Sequence, residues 1–345
     1  MRPAPEPRED PRATRLLGID PSRGDLADRV IGDLPELLRP GDLLVVNDAA
    51  TLPASLRGFA AHGAPLEVRL AGEEEDGSWR AVLFGAGDWR TRTEDRPPPP
   101  PLRAGESIRL GAVRAAVAAV DPADRRLVTL AFSERSAKLW QALYGAGRPV
   151  QYSYAARALS IWDTQTAYAA RPWAAEAPSA GLALTWDLLL ELRRRGIELA
   201  RVTHAAGLSS TGDPSLDARL PLAERYEVPA PTVVAVERAR SRGGRVVAVG
   251  TTTTRALEGA AASHGGRLAA GRGVTALRLG PGSTRRIVDG ILTGVHETDS
   301  SHFRLLESFA PRPLLERARD FAEAHAYLGH EFGDVVLVLE GAAPL

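Results

Sequence analysis

No cysteine occurs in the 345 residues. Its absence excludes disulfide scaffolds, thiol nucleophiles, iron–sulfur clusters and cysteine-based zinc sites together. An excess of charge of one sign is missing too. Lys+Arg and Asp+Glu both number 43, so nothing suggests a bulk nucleic-acid coat protein. The opening segment, MRPAPEPRED, holds no apolar signal core, and no apolar run approaches the ~18 residues of a membrane span. The expectation is a soluble cytoplasmic protein. Lysine is nearly absent: Lys138 stands alone, and the remaining positive charge is arginine. No G-x-G-x-x-G, Walker lysine motif or G-x-S-x-G elbow occurs, so dinucleotide, P-loop and hydrolase chemistries lack their fingerprints. What remains, 44% hydrophobic and 25% charged residues, is globular in composition, and the length fits one large domain or two ordinary ones.

The first fifteen residues, rich in Pro, Arg and acid, read as a flexible arm. Leu34 to Leu38 reads as a short helix stopped by Arg39-Pro40-Gly41-Asp42, and Leu43-Leu44-Val45-Val46 as a buried strand ending at Asn47-Asp48. From about residue 56 to 144 the texture changes to short alternating segments: Pro65 to Leu70, Ser78 to Phe84, Ser107 to Leu110 and Arg126 to Leu130. Period-2 alternation at this spacing predicts a small antiparallel barrel or sandwich, with Pro97 to Pro101 as a solvated spacer between strands. After Pro149, helices at Thr185 to Leu192, Thr232 to Arg242, Thr252 to Glu258 and Pro313 to Tyr327 alternate with strands at Ile197 to Thr203, Arg245 to Val249 and Asp334 to Leu339. Such βα alternation predicts a mostly parallel sheet, open or closed. The division is therefore an arm (1–15), an α/β domain (16–55 with 145–345) and an inserted β-barrel domain (56–144).

The sharpest local feature is Val246-Val247-Ala248-Val249-Gly250-Thr251-Thr252-Thr253-Thr254-Arg255-Ala256-Leu257-Glu258, a buried strand, a glycine, four hydroxyls and a helix. Backbone N–H groups and Thr hydroxyls at a helix start suit a carboxylate or phosphate; ordinary capping is the other reading. His296-Glu297, Asp299 and His302 match no metal-ligand spacing and read as hydrogen-bonding groups. Asp289 follows the strand-like Arg286-Ile287-Val288 as a catalytic group or a cap. Glu176, in the apolar stretch Trp173 to Pro178, and Glu224, in Leu222 to Val228, are carboxylates that such surroundings could give a raised pKa and the work of a base; solvated surface carboxylates are the other reading.

Beyond these local features, several longer segments follow one another in a fixed order. They are Leu38-Arg39-Pro40-Gly41-Asp42-Leu43-Leu44-Val45-Val46-Asn47-Asp48, Gln165-Thr166-Ala167-Tyr168, Ala177-Pro178-Ser179-Ala180-Gly181-Leu182, the Gly250-Thr251-Thr252 segment, Pro281-Gly282, Thr293-Gly294-Val295-His296 and Phe332-Gly333-Asp334. In that order the chain resembles the S-adenosylmethionine:tRNA ribosyltransferase-isomerase family of queuosine biosynthesis. The resemblance implies a β/α barrel-like main domain with an inserted small antiparallel β-barrel domain. It also implies a reaction: the ribosyl part of S-adenosylmethionine moves onto 7-aminomethyl-7-deazaguanine in tRNA and is isomerised to an epoxycyclopentanediol, releasing adenine and methionine. No metal or prosthetic group is implied; S-adenosylmethionine is the substrate. Carried onto this sequence, the resemblance gives Glu224 or His296 as proton-transfer groups and Asp289 as the residue orienting His296. Gly250, Thr251, Thr252 and Arg255 would hold the methionine carboxylate or ribose, and Tyr168, Asn47 and the turn Pro178, Ser179, Ala180, Gly181 would contact the nucleoside.

Departures accompany the matches. The family's Asn-Asn-Thr-Arg-Val-Ile-Pro-Ala-Arg run reads Asn47-Asp48-Ala49-Ala50-Thr51-Leu52-Pro53-Ala54-Ser55, without either arginine. The His after Ala-Gly-Leu is Ala183, and Thr-Leu-His-Val-Gly reads Thr203-His204-Ala205-Ala206-Gly207. His-x-Met-His-x-Glu reads Arg219-Leu220-Pro221-Leu222-Ala223-Glu224 and keeps only the Glu. Lost imidazoles remove proton carriers, and lost arginines remove phosphate contacts. Beside the family reaction on tRNA stand a diverged paralogue using S-adenosylmethionine alone or with a small acceptor, and a non-catalytic nucleoside-binding protein. The sequence leaves the oligomeric state open.

Overall fold

The computed structural model describes residues 1–342. Nine strands form one sheet in the order Gly271–Thr275, Glu224–Val228, Glu198–His204, Leu43–Asn47, Val246–Val249, Gly290–Gly294, Val335–Val338, Arg15–Asp20, Asp25–Val30. Four neighbouring pairs are parallel and four antiparallel. The central strands carry near-continuous apolar runs because helices cover both faces. Leu43, Val45, Val246, Ala248 and Ile291 pack under the helices Ala230–Ser241, Gly250–Ser263 and Arg312–Ala324. Leu44, Val46, Val247, Val249 and Leu292 pack on the other side under Leu34–Leu37 and Trp186–Arg194. Thr185 caps the last of these as its sequence suggests, Oγ1 accepting from Leu188 N at 3.3 Å, and Gly196 at φ 79° ends the turn that follows.

The expectation of a barrel-like, mostly parallel main domain is not confirmed: the sheet order has two ends and its pairing is mixed. A βα repeat reads alike in open and closed sheets. The hairpin Arg15–Asp20 with Asp25–Val30 and the antiparallel strands Glu224–Val228 and Gly271–Thr275 occupy the flanks instead.

The alternating region contains a closed antiparallel barrel of six strands in the order Val113–Val120, Leu127–Phe132, Trp79–Phe84, Pro65–Glu73, Ser55–Ala60, Ser107–Leu110. Trp79, Leu83, Val68, Leu56, Ile108 and Leu130 fill it, and Leu139 and Leu143 of the helix Ser136–Ala146 cover one side. Alternation along Pro65–Glu73 predicts Glu67 and Arg69 facing water, yet both are only 2% exposed. Glu67 accepts from Arg69 Nε and Ser55 Oγ, each at 2.8 Å, and from Arg96, so the buried charges meet within one hydrogen-bonded group.

The first fifteen residues depart from the flexible arm expected. Arg2–Pro3 pairs in parallel with Leu328–Gly329, Ala4 is buried, and Arg8 Nη2 reaches Asp334 Oδ1 at 2.5 Å. Composition alone does not register the strand and the carboxylate that receive this segment.

Candidate active site

Four parallel strands bring their carboxyl ends to one place. Leu43–Asn47 ends in Asn47, Glu198–His204 in His204, Val246–Val249 runs into Gly250, and Gly290–Gly294 stops two residues before His296. Glu224 opens the antiparallel strand next to His204 and so arrives at the same end. Open α/β sheets take ligands beyond the carboxyl ends of their strands. Here that end opens on a cleft of about 1150 Å³.

Glycine is required at position 250, where φ is +88° at the first residue of the helix Gly250–Ser263. Of the four hydroxyls that follow, Thr253 and Thr254 turn back onto the carbonyls of Val249 and Gly250, at 2.6 and 3.2 Å. Thr251 and Thr252 are left on the cleft wall, as are Pro178, Ser179 and Ala180 from the turn opposite. Glu258 closes the same helix's role in the fold by accepting the N–H groups of Arg286, Ile287 and Val288 at 2.8, 2.9 and 2.8 Å.

The centre of the cleft is a buried ion pair. Arg255 donates to Glu224 Oε2 through Nη1 and to the Leu277 carbonyl through Nε at 3.1 Å, while Gly207 N–H donates to Glu224 Oε1 at 2.6 Å. Arg255 Nη2 has no hydrogen-bond partner among the described residues. Burial raises the Glu224 carboxyl above the ordinary range, against the opposing pull of Arg255 and the Gly207 N–H. Arg255, expected to hold substrate, spends one nitrogen on Glu224 and keeps another free.

A family model described as queuosine biosynthesis protein matches residues 2–338. The chain belongs to that family. It is 37% identical over 334 residues to the S-adenosylmethionine:tRNA ribosyltransferase-isomerase of Anaeromyxobacter dehalogenans (strain 2CP-C), covering 95% of this chain and 92% of that protein. The protein of the same name from Acidithiobacillus ferrooxidans is 37% identical over 342 residues, 97% of this chain and 94% of its own. The crystal structure of the S-adenosylmethionine tRNA ribosyltransferase of Thermotoga maritima superposes with a TM-score of 0.53 at 25% identity, covering 98% of this chain and 96% of that one.

Within this queuosine biosynthesis family member, His296 stands on the cleft wall with Nε2 2.9 Å from Thr293 Oγ1, its ring stacked on His302 at 4.9 Å between centroids. Burial lowers both imidazoles, His302 to about 4, so the pair is neutral at pH 7. Asp289 does not orient His296. It is exposed, and its Oδ2 accepts from Val246 N at 2.8 Å, at the opposite end of that strand from Gly250. The residue that follows a strand-like run is here a cap at the wrong end of the sheet for the cleft.

Three further expected contacts stand behind the wall. Asn47 uses its amide on the backbone of His204 and on Thr252 Oγ1, the latter at 3.3 Å. Gly181 faces Tyr168, whose hydroxyl a Cβ at 181 would approach to 2.0 Å. These residues set the shape of the wall without lining it. A group that sequence reasoning did not assemble lies at one side: Tyr152 donates to Glu176, Tyr154 donates to Glu331, and the two phenol rings stack at 6.0 Å. Burial pushes Glu176 up to about 6 and also raises Glu331. Glu176 carried a signal, a carboxylate in an apolar stretch; its tyrosine partner lies 24 residues away and no local pattern joins them.

Proposed function

We propose that this chain is an S-adenosylmethionine-using ribosyltransferase-isomerase acting on 7-aminomethyl-7-deazaguanine in tRNA. One observation carries the reading to this chain's own residues: a buried carboxylate, Glu224, held by Arg255 at the carboxyl ends of the sheet beside a glycine-initiated helix with Thr251 and Thr252 on the wall. Identity of 37% across nearly the whole length supports it. In this reading the positive sulfonium acidifies the adjacent C5′ proton, and Glu224, its basicity raised by burial, removes it. The open N–H groups at Gly250–Thr252 with the free Arg255 nitrogen take the methionine carboxylate. Neutral His296 hydrogen-bonds at the wall and carries a proton to or from the departing groups. Asp289 has no part in it.

The same reading assigns the cleft to a main domain of residues 16–55 and 145–345, with 56–144 inserted as the barrel domain, and places the protein in the cytoplasm with its tRNA. No helix among the described residues is long and apolar enough to cross a membrane.

The test is incubation with S-adenosylmethionine, with and without tRNA carrying the aminomethyl-deazaguanine, following adenine and methionine by mass spectrometry. Release that depends on this tRNA is expected. Release without tRNA would replace the reading by a paralogue with another acceptor, and binding without release by a non-catalytic binder. For tRNA itself, Arg278 and Arg304 are exposed on the cleft wall and have no carboxylate partner among the described residues. Replacing both with Ala is expected to reduce the slope of log affinity for tRNA against log salt by about 1–2 and to leave S-adenosylmethionine binding unchanged. An unchanged slope places the tRNA backbone elsewhere.

A further inference from the structure

His204 is buried to 0% exposure, and neither of its ring nitrogens has a hydrogen-bond partner among the described residues. A buried polar group left without a hydrogen bond is destabilising, so the surroundings of this ring call for an account. Its main chain cannot drift, because His204 N–H donates to Asn47 Oδ1 at 2.8 Å and its carbonyl accepts from Asn47 Nδ2 at 3.0 Å. The ring is delivered to one neighbour: Nε2 lies 3.4 Å from Glu224 Oε2. The charged groups facing this point are Glu224 from the adjacent strand, Arg255 from the helix Gly250–Ser263 and, acting on Glu224, Glu176 from beyond the turn. Glu224 Oε2 already accepts from Arg255, and Oε1 from Gly207 N–H.

A neutral imidazole carries one N–H, and the Glu224 carboxylate oxygen 3.4 Å from Nε2 is an acceptor that a small turn of the ring would bring into hydrogen-bonding geometry, which puts the proton on Nε2. The position matters. The segment similar to Thr-Leu-His-Val-Gly carries its imidazole one residue earlier here, and on extended chain a shift of one turns a side chain to the opposite face. That face is the one toward Glu224 and Arg255.

We propose that His204 is a positioning residue, its ring turning to close the 3.4 Å separation and hold the Glu224 carboxylate through an Nε2–H donation from behind the cleft, so that the lone pair left on Oε1 faces substrate. The role rests on Glu224 being the base proposed above. His204 itself does not line the cleft and exchanges no proton with substrate; it acts through Glu224. A donor to the ionised form favours that form, so His204 keeps Glu224 ready to accept a proton at neutral pH in spite of its burial.

The experiment has an arm without turnover. In ligand-free protein, nitrogen-15 NMR reports the His204 tautomer, and infrared difference spectra follow the protonated-carboxyl band that Glu224→Gln removes. The expected tautomer is Nε2–H; an Nδ1–H tautomer overturns the proposal. In His204→Leu the Glu224 band is expected to titrate about one unit higher, with the acidic limb of the kcat profile moving by the same amount and KM for S-adenosylmethionine within about twofold. His204→Gln, whose amide can donate, is expected to restore both. A Glu224 midpoint unmoved in His204→Leu overturns the proposal, as does a Gln variant that behaves like the Leu one. If wild-type protein releases no adenine, the assignment of function fails on that result, while the tautomer and the infrared midpoint still decide the role of His204.

Discussion

Glu224→Gln is expected to lower kcat by about 10²–10⁴ while S-adenosylmethionine binding changes by no more than severalfold. Gln has the shape of Glu, so Oε1 still accepts from the Gly207 N–H while the amide NH2 loses the bond that Oε2 accepted from Arg255. What is lost is a lone pair basic enough to take the C5′ proton. Single-turnover adenine release reads the chemical step and calorimetry reads the binding; equal losses in both would falsify the assignment of Glu224 as base. The wild-type pH profile carries the complementary sign. Glu224 must be ionised to act, and burial raises its carboxyl, so kcat falls as pH falls through a value above the ordinary glutamate range. Glu176, pushed up to about 6, adds negative charge nearby as pH rises past that point, and its influence on Glu224 has the same upward direction.

How much of this was legible in the sequence depends on whether the signal was local. Val246 through Glu258 declared a strand, a glycine and a helix in thirteen residues, and the structure has all three, with the glycine at positive φ. The alternating region declared a small antiparallel unit for the same reason: each short strand shows its buried face within itself. Whether the main sheet closes is not a property of any single strand, and βα spacing left it undecided. Glu67 and Arg69 misled because alternation scores a charged residue as solvent-facing, while the two neutralise one another across a single strand with Arg96 arriving from another segment. Asp289 misled in the opposite way. Its sequence neighbourhood resembles a strand end that feeds a site, but the direction of the strand it caps decides which end of the sheet it occupies. The ring of His204 had no sequence signal as a partner of Glu224, since their meeting depends on antiparallel pairing of two strands placed twenty residues apart along the chain.

Arg255→Leu is expected to expose the cost of the buried carboxylate that this arrangement conceals. Among the described residues Arg255 supplies the only guanidinium bonded to Glu224, and removing one partner of a buried pair costs about 3–5 kcal/mol when the other stays charged. Glu224 has a second course, which is to bind a proton, and its already raised carboxyl moves further in that direction. The linkage then has a definite sign. A carboxyl whose folded pKa exceeds its unfolded value gives no penalty at low pH, where both states are protonated, and loses stability as pH rises through the window between the two values. Urea unfolding of Arg255→Leu against wild type is therefore expected to show a deficit that is small near about pH 5 and grows toward about pH 8.5, with turnover at neutral pH suppressed because the base is protonated. The double variant Arg255→Leu with Glu224→Gln has no buried charge left to strand, so it is expected to be more stable at the higher pH than Arg255→Leu alone, a coupling of the kind seen between residues in contact. A deficit equal at both pH values, or one that Glu224→Gln fails to relieve, would mean that Arg255 is needed for its packing and its bond to the Leu277 carbonyl instead of for the charge of Glu224.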